Sequence, residues 1–302
     1  GGAIPPVDDK NQGVLTKVAR RLIPYMFCLY ILSYLDRINV SFAGLQMNQD
    51  LNLSSEDFGF GGAIFFLGYF LFGAPGNLAM EKLGARKWIA AIMVVWGIIT
   101  VMLSLVTNKE TFFILRFFLG AAEAGFFPGM ILYLTYWFPE KQRGLAVAKF
   151  MAAIPAAGIL GGLISSQILT MGGIMGLAGW KWLFIITGIP SVLMGIVTLF
   201  FLTDKPDDAK WLTAAEKSGL KETVRGGAVG DAKTLSATAT GASDKAPKLF
   251  NKETTVTILL LSALYFSLTL GMYGFQLWLP LIIKNFGGLD VSQIAYLSVI
   301  PA

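Results

Sequence analysis

The chain of 302 residues is predicted to fold as an all-α membrane protein. It is 55% hydrophobic and only 14% charged, whereas a soluble domain carries about a quarter charged residues. Its mean hydropathy is +0.63. Seven runs reach the roughly 20 apolar residues that a helix needs to cross a bilayer. The 34 glycines fit the same class, because glycine is more frequent in membrane helices than in soluble ones.

The seven runs lie at about 22–44, 58–79, 88–106, 111–133, 150–169, 182–202 and 256–280, and an eighth starts near 291. The first is too long for a signal-peptide core and contains Asp36-Arg37, so it is expected to be kept as a span. The second and third contain no charged residue. In the fourth and fifth, Gly120, Ala124 and Gly125, then Gly158, Gly161 and Gly162, permit close helix approach. Pro128 and Pro155 are expected to kink these two spans. In the seventh, Tyr265, Thr269, Tyr273 and Gln276 recur at helical spacing. They make one polar stripe, which suits either a cavity lining or a packing face.

Lysines and arginines alternate in density between connections. One side holds Lys10, Lys17, Arg20 and Arg21, then Lys82, Arg86 and Lys87, then Lys141, Arg143 and Lys149, then the basic residues of the long sixth connection. The other side holds Lys109, Lys181 and Lys284. The rich side is expected to be cytoplasmic, with the N-terminus inside. The organisation expected is a six-helix bundle over 1–203, a cytoplasmic linker over 204–253 and the first one or two helices of a second bundle over 254–302. The linker's centre, 226–244, is rich in Gly, Ala, Ser and Thr and is expected to be flexible. Two six-helix halves form a recurrent transporter architecture. Residue 1 is Gly and the chain stops at Ile300-Pro301-Ala302 inside an apolar run, so it reads as a fragment of a longer protein.

Several function classes are excluded. Without histidine there is no imidazole base or imidazole metal ligand, and the single Cys28 makes neither a disulfide framework nor a thiolate metal site. No Gly-x-x-x-x-Gly-Lys-Ser/Thr loop is present, so ATP is not bound by that device. The net charge of +5 is spread over loops rather than gathered in a nucleic-acid patch. No enzyme activity and no cofactor are expected.

Four ionisable residues remain deep in the spans: Asp36, Arg37, Arg116 and Glu123. Each costs on the order of 2.5–3.5 kcal/mol or more at the bilayer centre unless it faces a bundle interior or a watery cavity. Arg116 and Glu123 are seven apart, on one helix face and about 10 Å apart along the axis. If the first and fourth spans face each other, the two acids and two arginines share one mid-membrane layer. The arginines, always protonated and fork-shaped, are then the candidate anion binders. The acids are candidate proton carriers, because loss of an arginine partner to an anionic substrate favours protonation. The alternative is a pair of static salt bridges locking two helices, although buried pairs are poor stability devices. Tyr34 offers a hydroxyl to the same cavity or belongs to the core.

The runs Tyr34-Leu35-Asp36-Arg37-Ile38-Asn39-Val40 and Arg116-Phe-Phe-Leu-Gly-Ala-Ala-Glu123, with Pro128-Gly129 beyond, resemble the major facilitator superfamily. More narrowly, together with Tyr133-Leu-Thr-Tyr-Trp137 and Tyr273-Gly274-Phe-Gln-Leu-Trp278, they resemble the anion:cation symporter family. The resemblance covers about 20–302 apart from the linker. It implies twelve helices in two bundles that import sugar acids, tartrate-like diacids or aromatic acids with protons. It implies proton coupling at Asp36 and Glu123, and substrate binding at Arg37 and Arg116 with Tyr34 lining the site. Tyr273 and Gln276 join the substrate-binding set from the polar stripe. The loop after the second span keeps Gly84, Arg86 and Lys87 but has Glu81 for the usual Asp and Asn77 for the usual Gly. That loop normally helps to latch the cytoplasmic side. The expected function is proton-coupled symport of a small organic anion by a monomer in the bacterial inner membrane. An organic-anion exchanger and a transport-inactive receptor are the alternatives.

Overall fold

The computed structural model describes residues 9–224 and 252–298. Among them the regular elements are helices: α1 (Asp9–Asp50), α2 (Ser55–Leu83), α3 (Ala85–Leu103), α4 (Lys109–Glu123), α5 (Phe126–Trp137), α6 (Glu140–Met151), α7 (Ala153–Leu169), α8 (Gly179–Phe201), α9 (214–224), α10 (Lys252–Asn285) and α11 (Val291–Leu297). Among the described residues seven stretches are long and apolar enough to cross a membrane: Gln12–Asp50, Ser55–Gly76, Ala85–Leu103, Lys109–Trp137, Gln142–Leu169, Gly179–Phe201 and Thr255–Asn285. All seven coincide with the runs read from the sequence, and the first extends ten residues further toward the N-terminus.

The fourth and fifth spans are both interrupted beside their prolines, Pro128 and Pro155. The fourth span is broken between α4 and α5 at Ala124-Gly125. Pro128 lacks the N–H that would reach the Ala124 carbonyl four residues earlier. Pro155 stands in the same relation to Met151, where α6 gives way to α7. Helix starts are capped locally. Ser54 Oγ accepts the Asp57 N–H at 3.0 Å while the Asp57 carboxylate accepts the Ser54 N–H at 3.1 Å, a reciprocal capping box at α2. Asn108 caps α4 by accepting the Thr111 N–H at 2.9 Å.

Helix α3 begins after Gly84, whose φ of +84° suits glycine. Asp204, just beyond α8, accepts the Arg86 N–H at 2.9 Å, and Arg86 Nε lies 3.2 Å from its second oxygen. The basic loop therefore clamps onto its own bundle. The Asn77 and Lys141 side chains, and Lys233, Lys245 and Lys248, lie outside the described residues, as does the linker centre 226–244.

Backbone-to-backbone crossings hold the bundle together. A Cβ on Gly120 of α4 would run into the Phe65 carbonyl oxygen of α2, and one on Gly97 of α3 would come within 2.8 Å of the Gly188 carbonyl oxygen of α8. Trp96, Trp137 and Trp180 are buried inside, whereas Phe70, Leu105 and Phe200 are exposed.

The linker's first part is not loose. Pro206–Asp208 forms a 3₁₀ turn, Ala209, Leu212 and Leu220 are buried, and Trp211 stacks on Trp137 with ring centroids 5.6 Å apart. Helix α9 starts with the box Thr213/Glu216, in which Glu216 accepts the Thr213 N–H at 2.8 Å. Lys17 of α1 reaches Glu216 at 2.9 Å.

Helix α10 is tied to α1 and α2 through its second half. Trp278 meets Phe58 edge-on at 5.5 Å, Leu277 packs at Gly62, and Lys284 Nζ donates to the Leu45 carbonyl at 2.8 Å. In its first half Leu259, Leu264 and Leu268 are exposed. Helix α11 packs on α7, where Gln167 donates to the Tyr296 hydroxyl at 3.1 Å.

Candidate functional site

Midway along α1 a cavity opens between α1, α2, α4 and α10, lined by Arg37, Ser41, Phe66, Arg116, Tyr273 and Gln276 among others. Arg37 and Glu123 form an ion pair across α1 and α4, with Nε 2.8 Å from Oε2. Glu123 is wholly buried, and its other oxygen, Oε1, has no hydrogen-bond partner among the described residues. Arg37 Nη1 also donates to the Tyr273 hydroxyl at 3.3 Å, and its guanidinium lies 4.9 Å from the centre of the Tyr69 ring.

Arg116 is different. Its Nε donates to the Gly61 carbonyl at 3.1 Å, and its guanidinium sits 4.6 Å over the Phe65 ring. No carboxylate lies within ion-pair distance of it among the described residues, and its buried Nη1 has no hydrogen-bond partner there. A guanidinium cannot shed its proton, so this is a fixed positive charge at the cavity wall with an unused donor. Such a group is suited to accept a carboxylate or a comparable anion.

Tyr34 donates to Gln276 Oε1 at 3.0 Å, so α1 and α10 meet through the residues expected from the stripe. The stripe divides. Tyr273 and Gln276 reach the cavity, while Thr269 donates back to its own helix at the Tyr265 carbonyl and Tyr265 is exposed.

The shared layer of four charges is only partly formed. Asp36 turns away from the cavity and is buried against α8, where Ser191 Oγ donates to it at 2.9 Å. Asn39 Nδ2 lies 3.5 Å from Asp36 and donates to Thr187 Oγ at 2.9 Å. Successive helical residues differ by about 100° of rotation, so Asp36 and Arg37 share depth but not a face.

Sequence reasoning missed two groups. The α2 wall, Gly62, Phe65 and Phe66, carries no polar signal that separates it from a lipid face. Thr187 and Ser191 were findable, since they are polar residues four apart in an otherwise apolar span.

Fold and cavity together define a multi-span helical membrane protein with a charged cleft between its first bundle and the start of a second. The chain belongs to the Major Facilitator Superfamily, whose family model matches residues 26–302. That family is one of membrane transporters rather than enzymes. It is 43% identical over 97% of its length to a protein of Agrobacterium vitis named "Putative tartrate transporter", and spans 63% of that protein. It is 40% identical over 97% of its length to the quinolone resistance transporter of Acinetobacter baumannii, and spans 65% of it. Among solved structures it is similar to a bacterial homologue of the human lysosomal transporter Spinster, crystallised inward-facing and unoccupied. There the TM-score is 0.64 at 21% identity, over 98% of this chain and 59% of that one.

Proposed function

We propose that the protein is a secondary transporter that moves a small organic carboxylate together with protons by alternating access. The observation that carries this reading is the buried Arg116 guanidinium, which has no acid partner among the described residues and faces the same cavity as Arg37. The name of the Agrobacterium relative supports an organic acid as cargo.

In this mechanism the substrate carboxylate binds Arg116 first and then competes with Glu123 for Arg37. A carboxylate away from water keeps its charge only while a cation stays beside it. Exchange of Glu123 for substrate at Arg37 therefore couples protonation of Glu123 to binding of the anion. Tyr34, Tyr273 and Gln276 position the substrate, and Asp36 is assigned the second proton-carrying role at the α1–α8 contact. The lysine and arginine distribution supports a cytoplasmic N-terminus in a bacterial inner membrane. On that orientation the α10 contacts close the outer side. A monomer suffices, because the cavity is built within one chain.

Binding of a panel of sugar acids, diacids and aromatic acids to the full-length protein tests the reading, with Arg116→Lys as the control. One class should bind to the wild type and weaken at least about tenfold in the variant, because the fork is lost while the charge stays. Equal affinity in both proteins would remove Arg116 from the site.

A further inference from the structure

A second cleft lies at the end of the bundle where α1 enters, α3 begins and α8 finishes, away from the cavity just described. Its walls include Arg21, Arg86, Phe200, Asp208, Lys210 and Trp211. The Arg21 guanidinium is held by two rings, 4.6 Å from the centre of Phe201 and 5.1 Å from that of Trp211. Trp211 is itself fixed by its stack on Trp137. This cation is positioned by aromatic faces and not by an acid. Its Nε is buried and has no hydrogen-bond partner among the described residues.

The other charges are distributed unequally. Arg86 is already engaged, with Nε 3.2 Å from Asp204 and Nη1 donating to the Leu199 carbonyl at 3.2 Å. Among the described residues no ion pair is formed by Arg21, Lys210 or Asp208. With Asp204 paired to Arg86, the cleft thus offers two uncommitted cations, Arg21 and Lys210, and one uncommitted acid, Asp208.

Its apolar side is an exposed rim at a span's end. Leu199 and Phe200 form the rim at the end of the sixth span, and Phe200 is 83% exposed. A cationic floor beside an exposed aromatic rim at a span's end matches a phospholipid at the level of its headgroup.

We propose that this cleft binds the phosphodiester headgroup of an anionic phospholipid carrying free hydroxyls, of the phosphatidylglycerol type. The phosphate oxygens accept from Arg21 and Lys210, the headgroup hydroxyls donate to Asp208, and one acyl chain runs along Leu199 and Phe200. The planar guanidinium suits a two-point contact with phosphate, which an ammonium alone does not provide. The site is independent of the anion cavity, so it does not rest on the transport reading.

Native mass spectrometry of the delipidated full-length protein tests this with phosphatidylglycerol and phosphatidylcholine of identical chains. Phosphatidylglycerol should bind at least about tenfold more tightly, and the Arg21→Gln/Lys210→Gln double variant should lose the preference. Lys210→Gln alone alters an exposed side chain that folding does not need, and should reduce the preference about threefold. Equal binding of the two lipids, or an unchanged preference in the variants, would overturn the proposal. Inorganic phosphate that binds alone and displaces phosphatidylglycerol at millimolar concentration would reassign the cleft to a soluble anion and overturn the lipid.

Discussion

Arg37 and Arg116 line the same cavity with different obligations. Arg37 already neutralises Glu123 at 2.8 Å, while Arg116, among the described residues, holds a carbonyl and a ring face and no acid. Removing Arg37 would leave Glu123 buried and unpaired, which costs about 3–5 kcal/mol in comparable buried pairs. The pair is thus better assayed from its acid side. Glu123→Gln should abolish uphill accumulation while sparing substrate exchange, measured in proteoliposomes with and without a pH gradient. Normal accumulation would strike Glu123 from the coupling role. Asp36→Asn should leave substrate affinity within about twofold, since Asp36 contacts Ser191 and not the cavity, yet impair pH-driven uptake. A large loss of affinity would show that Asp36 reaches the substrate in another state. Depth put these charges in one layer of the membrane, but the pairing of Arg37 with Glu123 across α1 and α4 depended on a facing that the sequence left open. The turning away of Asp36 was not legible either, because depth is read from residue count whereas face depends on which neighbours pack on each side.

At the scale of elements, crossings and caps set what can be changed. Gly120→Ala places a methyl against the Phe65 carbonyl, a backbone atom that cannot rotate aside. Overpacking of this kind costs about 1–3 kcal/mol. Gly73 of α2 has open space around it, so Gly73→Ala should be neutral or stabilising by roughly 0.5–1 kcal/mol. Thermal unfolding of the two variants in detergent should separate them, and equal midpoints would refute the crossing. Helix α9 depends on Glu216, whose carboxyl is held below its ordinary range by Lys17 and by the Thr213 N–H. A lowered value means that this contribution is complete above the unfolded carboxylate range. It is lost as the pH falls through the lowered folded value. Glu216→Ala, which removes the acceptor, should therefore raise hydrogen exchange across 214–224 at neutral pH, and unchanged exchange would contradict the capping role. The α9 start carries a Thr213-x-x-Glu216 signature that the reading of 204–253 as a linker passed over. The α2 wall was illegible, since cavity-facing and lipid-facing phenylalanines are chemically alike.

For the whole molecule, the six-span bundle and the interruptions beside Pro128 and Pro155 follow from the sequence, because hydrocarbon forces every backbone group into helices. Where α10 docks follows only in part: the stripe points Tyr273 and Gln276 toward the cavity, whereas Leu277, Trp278 and Lys284 carry no such signal. The second half of α10 closes one end of the cavity through Tyr273, Gln276, Leu277, Trp278 and Lys284. A transporter must release this end to expose the arginines on the other side of the membrane. The most direct test of coupled anion transport is external pH in lightly buffered cells that express the complete protein, recorded as each carboxylate class is added. Alkalinisation with one class, absent in Glu123→Gln, is the predicted result. No alkalinisation with any class, combined with labelled uptake that appears only with a preloaded counter-anion, would contradict proton symport and establish exchange.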